Sequence, residues 1–122
     1  MKFEDPADLV QRQLNAYNAK DVEAWLSTYA PHAEQFTLHG ARLAAGHEAL
    51  RSRIRLRFSE PDLRAHLLSR VVMNDFVIDL EEVTCNFPEG KGTIRMLCIY
   101  EVRNGRISKA SFALGKQVLG CA

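Results

Sequence analysis

An α+β fold, with three N-terminal helices leading into a mainly antiparallel sheet, is what this 122-residue chain predicts. Three observations carry the expectation. Apolar residues recur at helical spacing through the first half, β-branched and apolar residues concentrate from residue 63 onward, and Asn104-Gly105 supplies a two-residue hairpin turn late in the chain. With 47% hydrophobic and 25% charged residues, the chain has enough apolar material for a core and the length of one domain over residues 1–122.

The first helix is expected over residues 6–19, where Pro6 suits a helix start and Leu9, Val10, Leu14 and Tyr17 fall near one face. Asp21 then caps a second helix whose apolar stripe is Val22, Trp25, Leu26 and Tyr29, ended by Pro31. Residues 35–39 alternate as a strand. Gly40 and Gly46 punctuate, and a third helix carries Leu50, Ile54 and Phe58 four residues apart until Pro61 stops it. Residues 63–74, 76–87, 93–103 and 106–118 then read as a four-stranded meander, so that the element order is α-α-β-α-β-β-β-β.

The Asn104-Gly105 turn sets an expected register, because both residues tolerate the positive φ of a type I′ turn. A regular ladder from that turn pairs Leu97 with Phe112 and Arg95 with Leu114 on one face, and puts Met96, Cys98 and Tyr100 on the other. Both faces are substantially apolar. One is therefore expected to cover the helices and a pocket, and the other, through Met96, Cys98 and Tyr100, to meet a second subunit in a two-fold homodimer.

Sixteen basic against fifteen acidic residues leave a net charge of +1, which gives no field favouring nucleic acid or an anionic membrane. A small apolar ligand is the expected partner. The basic run Arg51, Arg53, Arg55, Arg57, interleaved with Leu50, Ile54, Leu56 and Phe58, reads as the solvated side of the third helix. Cys85, Cys98 and Cys121 are odd in number and lack C-x-x-C spacing, and the four histidines show no metal-ligand spacing, so neither disulfide framework, metal nor cofactor is expected. The start MKFEDPADLV has no apolar signal region and no apolar run approaches the ~20 residues of a membrane span, which points to the cytoplasm.

This element order, with Asp21-Val22-Glu23-Ala24, the Tyr29-Ala30 followed by Ala33, Gly46-His47-Glu48-Ala49-Leu50-Arg51 and Asn104-Gly105-Arg106-Ile107, resembles the nuclear transport factor 2-like (SnoaL-like) superfamily, which includes steroid Δ-isomerases. The resemblance covers nearly the whole chain. It implies a cone-shaped fold with a cavity between helices and a strongly curved sheet, and it supplies no catalytic signature. Matched to the steroid isomerase, it places Thr37 where the base carboxylate stands, Gln13 at the oxyanion tyrosine and Leu97 at the protonated aspartate. None of the three can do that chemistry, so isomerisation by that route is not expected.

What remains for the expected cavity is Gln13, Tyr17, Tyr29, Thr37, Arg95, Leu97, Phe112 and Leu114. His39, on the same side of its strand as Thr37, is the candidate general base, since an unperturbed imidazole titrates near neutrality; the alternative is a rim residue beside the Gly40 turn. Asp79 and Glu81 share one face of their strand, which points either inward, as an acid and base pair, or outward, as part of a salt-bridge ladder. Arg95, if buried, needs an acidic or anionic partner. His32 and His47 read as surface or capping residues. Tyr17, Trp25, Tyr29 and Phe36 suit an aromatic pocket or an ordinary core equally. Two functions fit: a binding or assembly module holding a small apolar molecule, or a small isomerase, hydratase or cyclase-like enzyme using His39 and a nearby acid.

Overall fold

The computed structural model describes residues 3–120, so Cys121 lies outside the described residues. Helix α1, Pro6–Ala19, is capped by the Asp5 carboxylate, which accepts from Ala7 N at 2.9 Å, and it ends at Lys20 in the left-handed region. It buries Leu9, Val10, Gln13, Leu14 and Ala16. Helix α2, Val22–Leu26, has the expected cap, Asp21 accepting from Ala24 N at 3.1 Å, but it is only one turn long. The Ser27 and Thr28 hydroxyls donate to the carbonyls of Ala24 and Trp25, both at 2.6 Å, and so close the helix before Pro31 is reached. Tyr29 therefore opens strand β1, Tyr29–Thr37, instead of ending the helical stripe.

Strand β2, Arg42–Ala45, was not foreseen: four residues are too few to show an alternation. It folds back antiparallel on β1 through a turn in which His39 takes a φ of 56°. Helix α3, Gly46–Phe58, buries Leu50, Ile54 and Phe58 as their spacing predicts. His47 is not a free surface residue, because its Nε2 lies 2.8 Å from the Tyr29 carbonyl oxygen and ties the start of α3 to β1.

Strands β3, Arg64–Met73, β4, Phe76–Phe87, β5, Gly90–Arg103, and β6, Arg106–Leu119, form the meander. The six-stranded sheet runs β2-β1-β6-β5-β4-β3, and only the β1–β6 pair is parallel. The three helices pack against one face of this curved sheet, which is the cone-shaped NTF2-like α+β architecture. Among the described residues no helix is long and apolar enough to cross a membrane.

The hairpin at Asn104-Gly105 forms, with positive φ at both residues, but the ladder leaving it is not regular. Ser108 is an extra residue on β6: Val102 pairs with Ile107 and Glu101 with Lys109, and the Ser108 hydroxyl donates to the Glu101 carbonyl at 3.1 Å. Phe112 consequently faces Cys98, and Leu114 faces Met96. Two expectations are thereby corrected. Arg95 and Leu97 lie on the outward face, and Met96, Cys98 and Tyr100, assigned to a subunit interface, point inward, with Cys98 and Tyr100 buried in the core.

Strand β3 is a sheet edge, and α1 fastens it. The Asn18 side chain donates to the Ala65 carbonyl at 2.9 Å and accepts from Ala65 N at 2.8 Å, replacing the pairing a neighbouring strand would give. Asn18→Ala leaves both backbone groups half-buried without that partner, and is expected to cost about 2 kcal/mol in urea unfolding. A loss below about 0.5 kcal/mol would show that water replaces the amide.

Candidate functional site

Between the helices and the inner sheet face lies a cavity of about 500 Å³. Its walls are mostly apolar: Leu14 from α1, Trp25 from α2, Ile54 and Leu56 from α3, and Met96, Phe112 and Leu114 from the sheet. Phe112 meets Tyr100 edge to face, with centroids 6.4 Å apart, and Trp25 lies against Tyr29 at 4.4 Å. The Trp25 indole N–H is buried with no acceptor, so this ring is held by packing alone.

Polar groups reach the cavity from four directions. The Tyr29 hydroxyl accepts from the amides of Gln13, at 3.2 Å, and Gln35, at 3.4 Å. Arg53 donates to the Gln35 carbonyl oxygen at 3.1 Å, and Arg57 Nε donates to the Tyr17 hydroxyl at 3.2 Å. Burial pushes the Tyr17, Tyr29 and Tyr100 hydroxyls above the usual phenol range, so all three stay neutral. The fourth direction is β4.

On β4, Val77, Asp79, Glu81, Val83 and Cys85 alternate inward, which settles the parity the sequence left open. Asp79 is 0% exposed and sits directly opposite Arg70 of β3. The guanidinium of Arg70, 14% exposed, grips it through Nε to Oδ1 at 2.7 Å and Nη2 to Oδ2 at 2.8 Å, and Nη1 continues to Gln11 at 2.9 Å. Glu81, 4% exposed, makes no ion pair among the described residues and lines the cavity. Desolvation first, and the charge of Asp79 second, push its carboxyl up to about 7, against a smaller downward pull from the Cys98 thiol and Arg70. Glu81 thus changes charge at neutral pH inside an apolar chamber.

The expected site is therefore partly assembled and partly displaced. Gln13, Tyr17, Tyr29, Thr37, Phe112 and Leu114 line the cavity together with Glu81. His39 does not: its turn beyond the end of β1 carries it to an exposed groove on the outer side with Ile99 and Lys109. Arg95 is not buried but 65% exposed, with Nε 3.7 Å from Glu82, and Leu97 turns outward beside it. Asp79 is inward but engaged by Arg70. Sequence reasoning missed Arg70, Tyr100, Arg53 and Arg57. The opposition of Arg70 to Asp79 depends on a bulge near Leu68, whereas Tyr100 was visible as one of an alternating set placed on the wrong face.

A curved, mostly antiparallel sheet closed by three helices defines an NTF2-like fold. The chain belongs to the SnoaL-like domain family, which matches residues 10–110. No protein of curated function matches it. Among solved structures it is similar to an uncharacterised cystatin-fold protein from Novosphingobium aromaticivorans, with 21% identity and a TM-score of 0.84 over 90% of this chain and 98% of that one. It is also similar to IdmH, a candidate polyketide cyclase from Streptomyces antibioticus, with 19% identity and a TM-score of 0.77 over 91% and 92% of the two chains. A candidate polyketide cyclase from Sinorhizobium meliloti shares 24% identity, with a TM-score of 0.71 over 90% of this chain and all (100%) of that one. At these identities the likeness is one of fold.

Two stability measurements probe the β4 acids. Asp79→Ala strands the Arg70 guanidinium, and urea unfolding is expected to show a loss of about 3–5 kcal/mol. Glu81 acts in the opposite sense. Between its ordinary value of 4.5 and about 7 the folded chain keeps a proton that the unfolded chain releases, so this group subtracts stability as pH rises through that window. Glu81→Gln should therefore gain on the wild type in Tm from pH 4 to pH 8, by an amount equivalent to about 3 kcal/mol. A difference that does not vary with pH would place the Glu81 carboxyl in water.

Proposed function

We propose that this chain binds a small, largely apolar molecule carrying a carbonyl oxygen in the cavity, and that Glu81 moves a proton to or from a carbon of that molecule. The single observation behind this reading is a cavity-lining carboxyl, buried at 4% exposure, held near neutrality in its proton affinity. A general base works best when its pKa is close to the working pH, because it is then both available and strong. An apolar chamber of this volume suits a one- or two-ring skeleton.

The hydroxyls supply the complementary role. Tyr29 accepts from two amides and keeps its own proton to donate, and Tyr100 is a second buried neutral hydroxyl on the same wall. Charge developing on a ligand oxygen as Glu81 removes an adjacent carbon-bound proton would be met by such preformed donors. A candidate polyketide cyclase of the same fold, at 19% identity, gives the reading a precedent in architecture alone. His39, which the sequence favoured for this role, lines a groove on the outer side of the sheet and has no role in this reading.

The test uses 2-tetralone, a two-ring ketone, in heavy water. NMR should show deuterium entering its α-carbon faster with the protein than without, at a rate that rises with pH and levels above about 7. Glu81→Gln should lower that rate at least about 100-fold while leaving binding within a few-fold. Binding without any acceleration by the wild type would reduce the cavity to a carrier site.

A further inference from the structure

We propose that the ligand of this cavity is an acid: its apolar body enters the chamber and its carboxylate is held at the mouth by Arg53 and Arg57. The proposal rests on the binding site described above and specifies what enters it. Arg53 and Arg57 are four residues apart on α3, so their side chains leave the same helix face, and both line the cavity. Leu56, Leu43, Thr37 and Leu114 around them are exposed, which marks this end as the opening.

The two guanidiniums have donors to spare. Among the described residues neither makes an ion pair, although Arg12, Arg42, Arg51, Arg70 and Arg95 each do. Each makes one side-chain hydrogen bond to a neutral group, Arg53 to Gln35 and Arg57 to Tyr17, out of the five N–H donors a guanidinium carries. The acids of the cavity form no direct ion pair with either arginine, although the charge of Glu60 is felt at Arg57. Glu60, on the rim, accepts from the Asn86 backbone amide, and Glu81 lies on the opposite wall without an ion pair. Desolvation first, and the neighbouring charge of Arg57 second, lower the proton affinity of Arg53, whereas that of Arg57, against its own desolvation, is raised by Tyr17 and, more weakly, by the charge of Glu60.

Holding two like charges side by side at an apolar opening is unfavourable unless something offsets it. An anion does so, and the planar fork of arginine suits the two oxygens of a carboxylate. Gln35 and Tyr17 each take one donor of a fork, which leaves the other donors for a ligand. The arrangement also sets the orientation of a bound acid. With its carboxylate at α3, the carbon skeleton extends toward Tyr29, Tyr100 and Glu81, so the reacting carbon is presented to the base and the charged end is kept away from it.

The experiment compares 2-naphthoate with 2-naphthamide, which have the same rings and nearly the same shape, by calorimetric titration at pH 7.5. The acid is expected to bind at least about tenfold more tightly than the amide. That preference should fall to within about twofold in the Arg53→Gln/Arg57→Gln double variant, whose unchanged affinity for the amide would certify an intact cavity. If the double variant loses the amide as well, the single variant Arg53→Gln, altered at the exposed rim, decides: a several-fold drop in acid preference supports the proposal and none overturns it. Equal affinity of the wild type for acid and amide overturns the acid assignment and leaves the binding site standing. Failure of both to bind removes the binding site itself, and a preference that survives the double variant removes the two arginines from it.

Discussion

Asp79 and Glu81 leave β4 two residues apart, and the period of a strand allows neither to turn outward without the other. Two carboxylates are thus committed to an apolar interior, where two bare charges would be untenable. The chain resolves this by treating them unequally. Arg70 takes Asp79 in a two-pronged ion pair, and Glu81 keeps its proton up to about neutral pH. Much of the inner architecture follows from that division: β3 must pass opposite Asp79 with Arg70 at the right height, α1 must bring Gln11 to the same guanidinium, and the cavity must open on Glu81 and not on its neighbour.

The sheet's irregularities are what make room for that chamber. The Ser108 bulge sets Phe112 opposite Cys98, and a second irregularity, at Gly115 beside Arg95, lets β6 continue past the cavity. There is little space to move either strand: a Cβ on Gly115 would come within 3.2 Å of the Arg95 carbonyl oxygen. β1 then joins β6 in the one parallel pairing, and Tyr29, at its start, is carried to the deep wall with its hydroxyl between two glutamines. The short α2 is part of the same device, since a helix continuing to Pro31 would have kept Tyr29 out of the sheet.

Elements that announce themselves by period or by turn chemistry were legible in the sequence. The first helix falls on residues 6–19 as read, Leu50, Ile54 and Phe58 are the buried stripe of α3, and the hairpin turns at Asn104-Gly105. The faces of the meander were not legible, for a physical reason. A two-residue period carries no sign of its own; it must be read from a polar side, and β5 offers apolar residues on both. Assuming a regular ladder joined Leu97 to Phe112, so a correct placement of Phe112 inside brought Leu97 and Arg95 in with it. One inserted serine undoes that pairing, and a single serine in a strand has no signature. The α3 arginines were hidden differently: a helix with basic residues on alternate positions resembles a solvated surface until the cavity beneath it is known.

The distribution of charge within the chamber binds these parts into one design. A neutral wall of tyrosine and glutamine stands between the α3 arginines and a carboxyl that titrates near neutrality. If Arg53 or Arg57 reached Glu81, its carboxyl would be drawn down toward the ordinary carboxylate range. Instead the two forks are spent on Gln35 and Tyr17, groups that bond a guanidinium without neutralising it. Among the described residues Arg53 and Arg57 stay free of an ion pair and Glu81 stays protonatable, two conditions that a direct salt bridge between them would remove together. A cavity that only needed filling would gain stability by making that bridge or by losing all three charges. Keeping them apart costs stability, and that cost supports the ligand proposed for the chamber.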